Sequence, residues 1–296
     1  MSANYSPRIL LPKNVRYMRL QTELAGAVMG SIAGHLNGTY TETFTHNGLE
    51  HIWVRLQRHA SQRRLSRRRC VLLYYHGASA LLVRIQAHTR DEEIEVEILL
   101  ANYRKAPEYP YPVPPSDAHA VYKYLVDVER VLPGDIIVAG DSAGAGLVLA
   151  TMLRVRDEKP HTLPRAAILT SPYIDMEMRG DQRKAPYCIV ADGAVETVPR
   201  SYFTQGGGQE SWGDASPVHC HLGSLPPAYI IAPEFDYLKP QAYRLMERAK
   251  EDGVKHWELE EHKHMVHVYM NLPAFFCLTR PMATLGTMND GKVVNT

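Results

Sequence analysis

The stretch Asp135-Ile136-Ile137-Val138-Ala139-Gly140-Asp141-Ser142-Ala143-Gly144-Ala145-Gly146 passes from an apolar run, through a serine between small residues, into an Ala/Gly-rich segment. The run from Asp135 to Ala139 reads as a short strand buried on both faces. The segment from Ala143 to Arg156 reads as a helix. A serine between strand and helix must occupy a sharp turn, and glycines two residues before and after Ser142 leave room for it. The helix that begins there directs its free N–H groups and positive dipole end at the hydroxyl. The N–H of Ala143 then lies beside any oxyanion formed on a carbon that Ser142 attacks.

Outward from this element, strand-like and helix-like segments alternate, which predicts βαβ units around a mostly parallel sheet. Further strands are expected at His51–Gln57, Cys70–Tyr75, Glu95–Ala101, Ala166–Thr170, Ala228–Ala232 and Lys255–Glu260. Further helices are expected at Pro115–Val128 and Lys239–Asp252, the latter closed by Gly253 as a C′ residue. Residues 1–45, with a weakly amphipathic stretch at Arg16–Leu36, and an insertion at about 175–213 do not fit the alternation and are expected to form a small cap. Residues 46–280 would then be the catalytic domain and 281–296 a flexible tail. Arg55–Arg69 holds seven arginines and is expected to be a solvated hairpin loop. No aromatic residue interleaves them between Gln57 and Cys70, so they give little support to an anion or partner site.

A serine hydroxyl is a weak nucleophile without a base. In a strand–turn–helix setting the acid and then the base follow at the ends of later strands. The run Ala228-Tyr229-Ile230-Ile231-Ala232-Pro233-Glu234-Phe235 leads directly into Asp236, and a later strand leads into His264-Met265-Val266-His267. Ser142, Asp236 and His267 are the expected catalytic residues. Glu234 competes as the acid but sits nearer the strand than the loop. Asp141 is expected to be a hydrogen-bond acceptor in the turn. His262, His264 and His267 could share a metal, yet no carboxylate or cysteine motif completes such a site, and no metal is assigned.

The remaining composition narrows the class. The net charge of +1 does not mark a nucleic-acid or anionic-membrane partner. No apolar run reaches the roughly 18 residues a membrane span needs, and residues 1–20 carry no continuous apolar h-region. A soluble, cytoplasmic protein is the expectation. Cys70, Cys188, Cys220 and Cys277 form no CxxC pair and are read as free thiols.

These residues resemble the hormone-sensitive-lipase-like branch of the α/β-hydrolases. Tyr103-Arg104-Lys105-Ala106-Pro107-Glu108-Tyr109-Pro110 resembles that branch's YRLAPE-x-P signature, and Pro115-Ser116-Asp117-Ala118 its D-A helix start. Ser216-Pro217 with Leu225-Pro226-Pro227, Asp236-Tyr237-Leu238 and Met265-Val266-His267-Val268-Tyr269 resemble its SP…LPP, D-x-L and G-M-x-H-x-F elements. The resemblance covers about residues 45–275. It implies the α/β-hydrolase fold, with a mostly parallel sheet flanked by helices. It also implies an oxyanion loop at His76-Gly77-Ala78-Ser79, where the family carries HGGG; Gly77 and Ala78 join Ala143 as expected oxyanion donors. Two family glycines are replaced in this loop. His264 stands where the family usually has another glycine, a place from which an imidazole would crowd the base.

The expected activity is hydrolysis of a carboxylic ester of a small apolar substrate through an acyl-enzyme, with no cofactor. Tyr173, Tyr187, Tyr202, Phe203 and Trp212 would supply an apolar pocket. The altered loop keeps open a second use of the same residues, in condensation, cyclisation or elimination of a carbonyl compound in specialised metabolism. A non-catalytic small-molecule receptor is a third reading, against which the intact Ser142, Asp236 and His267 argue. The expected partner is a small-molecule substrate, without nucleic acid or membrane span; a homodimer is left open.

Overall fold

The computed structural model describes residues 39–56, 68–77, 94–106, 108–177, 188 and 212–271. Eight strands form one sheet: β1 (Thr39–His46), β2 (Leu49–Leu56), β3 (Arg68–Tyr75), β4 (Ile94–Ala101), β5 (Ile136–Asp141), β6 (Ala166–Thr170), β7 (Ala228–Phe235) and β8 (Trp257–Val266). Their spatial order is β1-β2-β4-β3-β5-β6-β7-β8. The β1–β2 and β2–β4 pairs are antiparallel, and every pair from β4 to β8 is parallel. This is the expected mostly parallel sheet of an α/β-hydrolase fold.

Helices α1 (Val113–Asp127), α2 (Ala143–Glu158) and α3 (Lys239–Glu251) lie close to their expected positions. Gly253, at φ +75°, closes α3 as predicted. Its N–H donates to Lys250 O at 3.1 Å and the N–H of Val254 to Ala249 O at 2.8 Å, the paired bonds of a Schellman motif. Alternation along β3 places Val71, Leu73 and Tyr75 in a core shared with the three helices, and Leu72 and Tyr74 in a second core on the opposite face. Residues Leu147 to Leu153 of α2 are all buried, so this helix is enclosed on nearly every side. Each fully buried Leu, Ile or Val contributes about 1.5–3 kcal/mol. That packing makes the β5–α2 junction a rigid base for Ser142.

Two expectations are corrected. Residues 39–45, assigned to an N-terminal cap, are strand β1. Their Thr, Tyr and Phe residues suit a mostly exposed edge strand, and Asn47 (φ 53°) with Gly48 (φ 71°) forms the two-residue turn into β2. The arginine-rich stretch is not a hairpin loop, because β4 lies between β2 and β3. Glu97 on β4 binds Arg55 of β2 and Arg69 of β3, each at 3.0 Å, and Arg68 pairs with Asp135 at 3.6 Å. Burial pushes the Glu97 carboxyl up, but the two guanidinium groups outweigh it and hold it below the usual range. The rest of that stretch, Arg16–Leu36, most of the 175–213 insertion and the 281–296 tail lie outside the described residues.

Candidate active site

Ser142 caps α2 at φ 53° and ψ −120°, a sparsely populated conformation for a residue with a side chain. Neighbouring glycines allow the chain to close around it. A Cβ on Gly144 would stand 2.0 Å from the Tyr75 carbonyl oxygen, and one on Gly140 2.6 Å from the Gly144 carbonyl. The end of β6 and the residues after it hold the turn from the other side. The Ser142 N–H donates to Thr170 O at 2.9 Å, and the Tyr173 N–H donates to Ser142 O at 3.0 Å.

Three expected residues meet here. His267, one residue beyond β8, places Nε2 3.2 Å from Ser142 Oγ and Nδ1 3.0 Å from each carboxylate oxygen of Asp236. The Asp236 and His267 side chains are buried, and Asp236 Oδ1 also accepts the Leu238 N–H at 2.8 Å. A carboxylate acceptor at Nδ1 selects the tautomer with its proton there. The Nε2 lone pair then faces the serine hydroxyl, the arrangement needed to remove its proton.

The competitors are engaged elsewhere. Glu234 lies within β7 and accepts the His264 N–H at 2.8 Å. His264 takes φ 62°, the backbone state that favours glycine, and its ring is 73% exposed. The ring therefore points to solvent and does not crowd His267. His262 contacts the Tyr269 hydroxyl and Glu260. Among the described residues no three His, Cys, Asp or Glu side chains gather as a metal site requires.

The oxyanion expectation changes at one position. The Gly77 N–H donates to Asp141 Oδ1 at 3.0 Å, so it is directed at the turn carboxylate and does not serve as an oxyanion donor. Asp141 Oδ1 accepts the Tyr74 hydroxyl as well, at 2.5 Å, in the acceptor role expected of it. The carbonyl of the same peptide, His76 O, accepts the Tyr103 hydroxyl at 2.6 Å. Both ends of the His76–Gly77 peptide are thus held. Ala78 and Ser79 lie outside the described residues, and Ala143 opens α2 beside Ser142 as expected. Burial and the nearby Lys105 ammonium push the His76 imidazole down to about 4, so it stays neutral near pH 7.

Sequence reasoning missed Ser171 and Gln241. The Ser171 Oγ accepts the Val268 N–H at 3.0 Å, beside the base. Gln241 Oε1 accepts the N–H groups of Ile174 and Asp175, tying α3 to the segment that follows Ser171. Both are single polar residues with no local pattern, and only the tertiary contact reveals them. Of the aromatics expected around a pocket, Tyr173 and Trp212 are buried with Met176, Tyr237 and Leu238 behind the acid loop. They pack that loop. Tyr187, Tyr202 and Phe203 lie outside the described residues.

A family model for the alpha/beta hydrolase fold matches residues 72–271. An acetyl-hydrolase of Streptomyces hygroscopicus is 32% identical over 206 residues, 67% of each chain. An esterase of Acinetobacter venetianus is 28% identical over 64% of each chain. The chain thus spans about two thirds of the length of these curated relatives. A crystal structure of an esterase from the bacterial hormone-sensitive lipase family superposes with a TM-score of 0.68 at 26% identity, over 92% of both chains.

Proposed function

The chain belongs to the α/β-hydrolase family, and on that premise we propose that it is a carboxylic ester hydrolase acting through an acyl-enzyme on Ser142. The observation that carries this reading is His267 held between Asp236 and Ser142, at 3.0 and 3.2 Å, on a nucleophile turn with φ 53°. His267 Nε2 takes the Ser142 proton as Oγ attacks the ester carbonyl. Asp236 keeps the imidazole in the required tautomer and stabilises the imidazolium. The protonated base gives its proton to the leaving alkoxide, which departs as an alcohol. Water, activated by the same base, attacks the acyl-serine and releases the acid. The N–H of Ala143 holds one side of the tetrahedral oxyanion. The second donor is assigned to the chain beyond Gly77, at Ala78, since the Gly77 N–H is directed at Asp141.

The acyl group is proposed to be small and apolar. The acetyl-hydrolase and esterase relatives support a short acyl chain as the first to try. Turnover of aryl acetate, butyrate and octanoate by the purified protein tests the reading, with and without EDTA. Release of the phenol at a rate unchanged by EDTA is expected, because every step above uses side chains and backbone alone. A well-folded protein that cleaves none of these esters would overturn the reading, as would activity lost to EDTA and restored by zinc.

A further inference from the structure

We propose that Ser171 is a positioning residue that sets the reach of the base His267 toward Ser142, an inference that rests on the esterase reading above. Ser171 follows β6 directly, is buried, and takes φ 49°. Its own N–H donates to Ile231 O on β7 at 3.0 Å, which anchors it to the sheet. Its Oγ accepts the N–H of Val268, the residue after the base, at 3.0 Å.

Val268 explains why such an anchor is needed. It sits at φ 45° and is buried. A β-branched side chain is strongly disfavoured in this left-handed region, so the conformation persists only where the surroundings enforce it. Relaxation of Val268 toward negative φ would swing the His267 Cα, and with it Nε2, away from the nucleophile. The Ser171 hydroxyl is an enforcing contact placed one residue from the base.

The same short segment holds the nucleophile. Thr170 O accepts the Ser142 N–H at 2.9 Å, and Tyr173 donates its N–H to Ser142 O at 3.0 Å. Residues 170–173 therefore grip the nucleophile turn through their backbone and the base loop through the Ser171 side chain. His267 Nε2 and Ser142 Oγ, 3.2 Å apart, are thus both tied to this segment. A displacement of about 1 Å in such a pair can cost about 10²-fold in rate.

The test uses Ser171→Ala, Val268→Gly and the double variant, each assayed on an aryl acetate with active sites titrated by a phosphonylating agent. Ser171→Ala is expected to lower kcat per titrated site by about 10- to 100-fold with KM changed less than about threefold. Glycine adopts φ 45° freely, so Val268→Gly removes the strain that the hydroxyl restrains. The double variant is expected to recover at least about threefold in kcat over Ser171→Ala, a non-additive result that general loss of stability would not produce. If Ser171→Ala does not fold, Ser171→Cys keeps the volume with a weaker acceptor, and a smaller kcat loss with the same recovery is expected. Wild-type kcat per titrated site in the Ser171 variants, or a double variant whose loss is the product of the two single losses, would overturn the proposal. A wild-type protein with no turnover and no titratable serine would instead overturn the esterase reading itself.

Discussion

Asp236→Asn is expected to lower kcat on an aryl acetate by about 10⁴-fold, roughly 5.5 kcal/mol in the barrier, with little change in melting temperature. His267 Nδ1 faces both Asp236 oxygens at 3.0 Å in a buried setting. An asparagine amide would turn its NH₂ toward Nδ1 and favour the tautomer with the proton on Nε2. That nitrogen could then no longer accept the Ser142 proton. The asparagine oxygen still receives the Leu238 N–H, so the loop keeps its backbone bond. Glu234→Gln is the internal control. Its oxygen can still accept the His264 N–H, and its site is separate from Nδ1, so a change under about threefold is expected. Rates for the two variants, on protein of matched melting temperature, decide between the acids. A larger loss in Glu234→Gln would move the acid to Glu234.

Gly144→Ala is expected to destabilise the fold by about 3 kcal/mol or more, because the new Cβ would sit 2.0 Å from a backbone carbonyl of β3. No side-chain rotation relieves that contact. Either the start of α2 or the end of β3 must move, and both border Ser142. At about 2–4 °C per kcal/mol for a domain of this size, the melting temperature should fall by about 6–12 °C. Activity should fall further than the folded fraction does, since the nucleophile turn is what shifts. Gly134→Ala is the matched control, with nothing within 4 Å of its Cβ, and should stay within about 0.5 kcal/mol of wild type. Thermal melts of both variants suffice. A Gly144→Ala protein that melts with the wild type would mean the turn is looser than the 2.0 Å approach implies.

What was legible in the sequence followed local chemistry. The apolar runs of β3, β5, β6 and β7 stood out because both faces are buried. The helices were marked by their own punctuation, as at Gly253. The site residues brought together by the fold were legible because chain order and strand ends constrain them: Ser142 follows β5, Asp236 follows β7 and His267 follows β8. What stayed hidden was tertiary. β8 runs six residues beyond its expected end because an edge strand carries Glu, His and Lys on its open face, which masks the alternation. β1 leaves little trace in the sequence despite the Asn47-Gly48 turn, since Thr39–His46 is mostly exposed. The insertion of β4 between β2 and β3 has no local signature. The resemblance to HGGG implies a donor at Gly77, and only the Asp141 contact shows where its N–H points. Ser171 lies 97 residues from the N–H it accepts, beyond the reach of any local pattern.

Ser142 is proposed to be an activated nucleophile. This is tested most directly by treating the intact, folded protein with a fluorophosphonate probe, then measuring whole-protein mass and mapping the modified peptide. Only a serine with a base in place attacks phosphorus quickly. The expected result is one phosphonyl group per chain, located on Ser142, and labelling slowed strongly in Asp236→Asn. A folded protein that takes up no label, or carries it on a serine other than Ser142, would contradict the account.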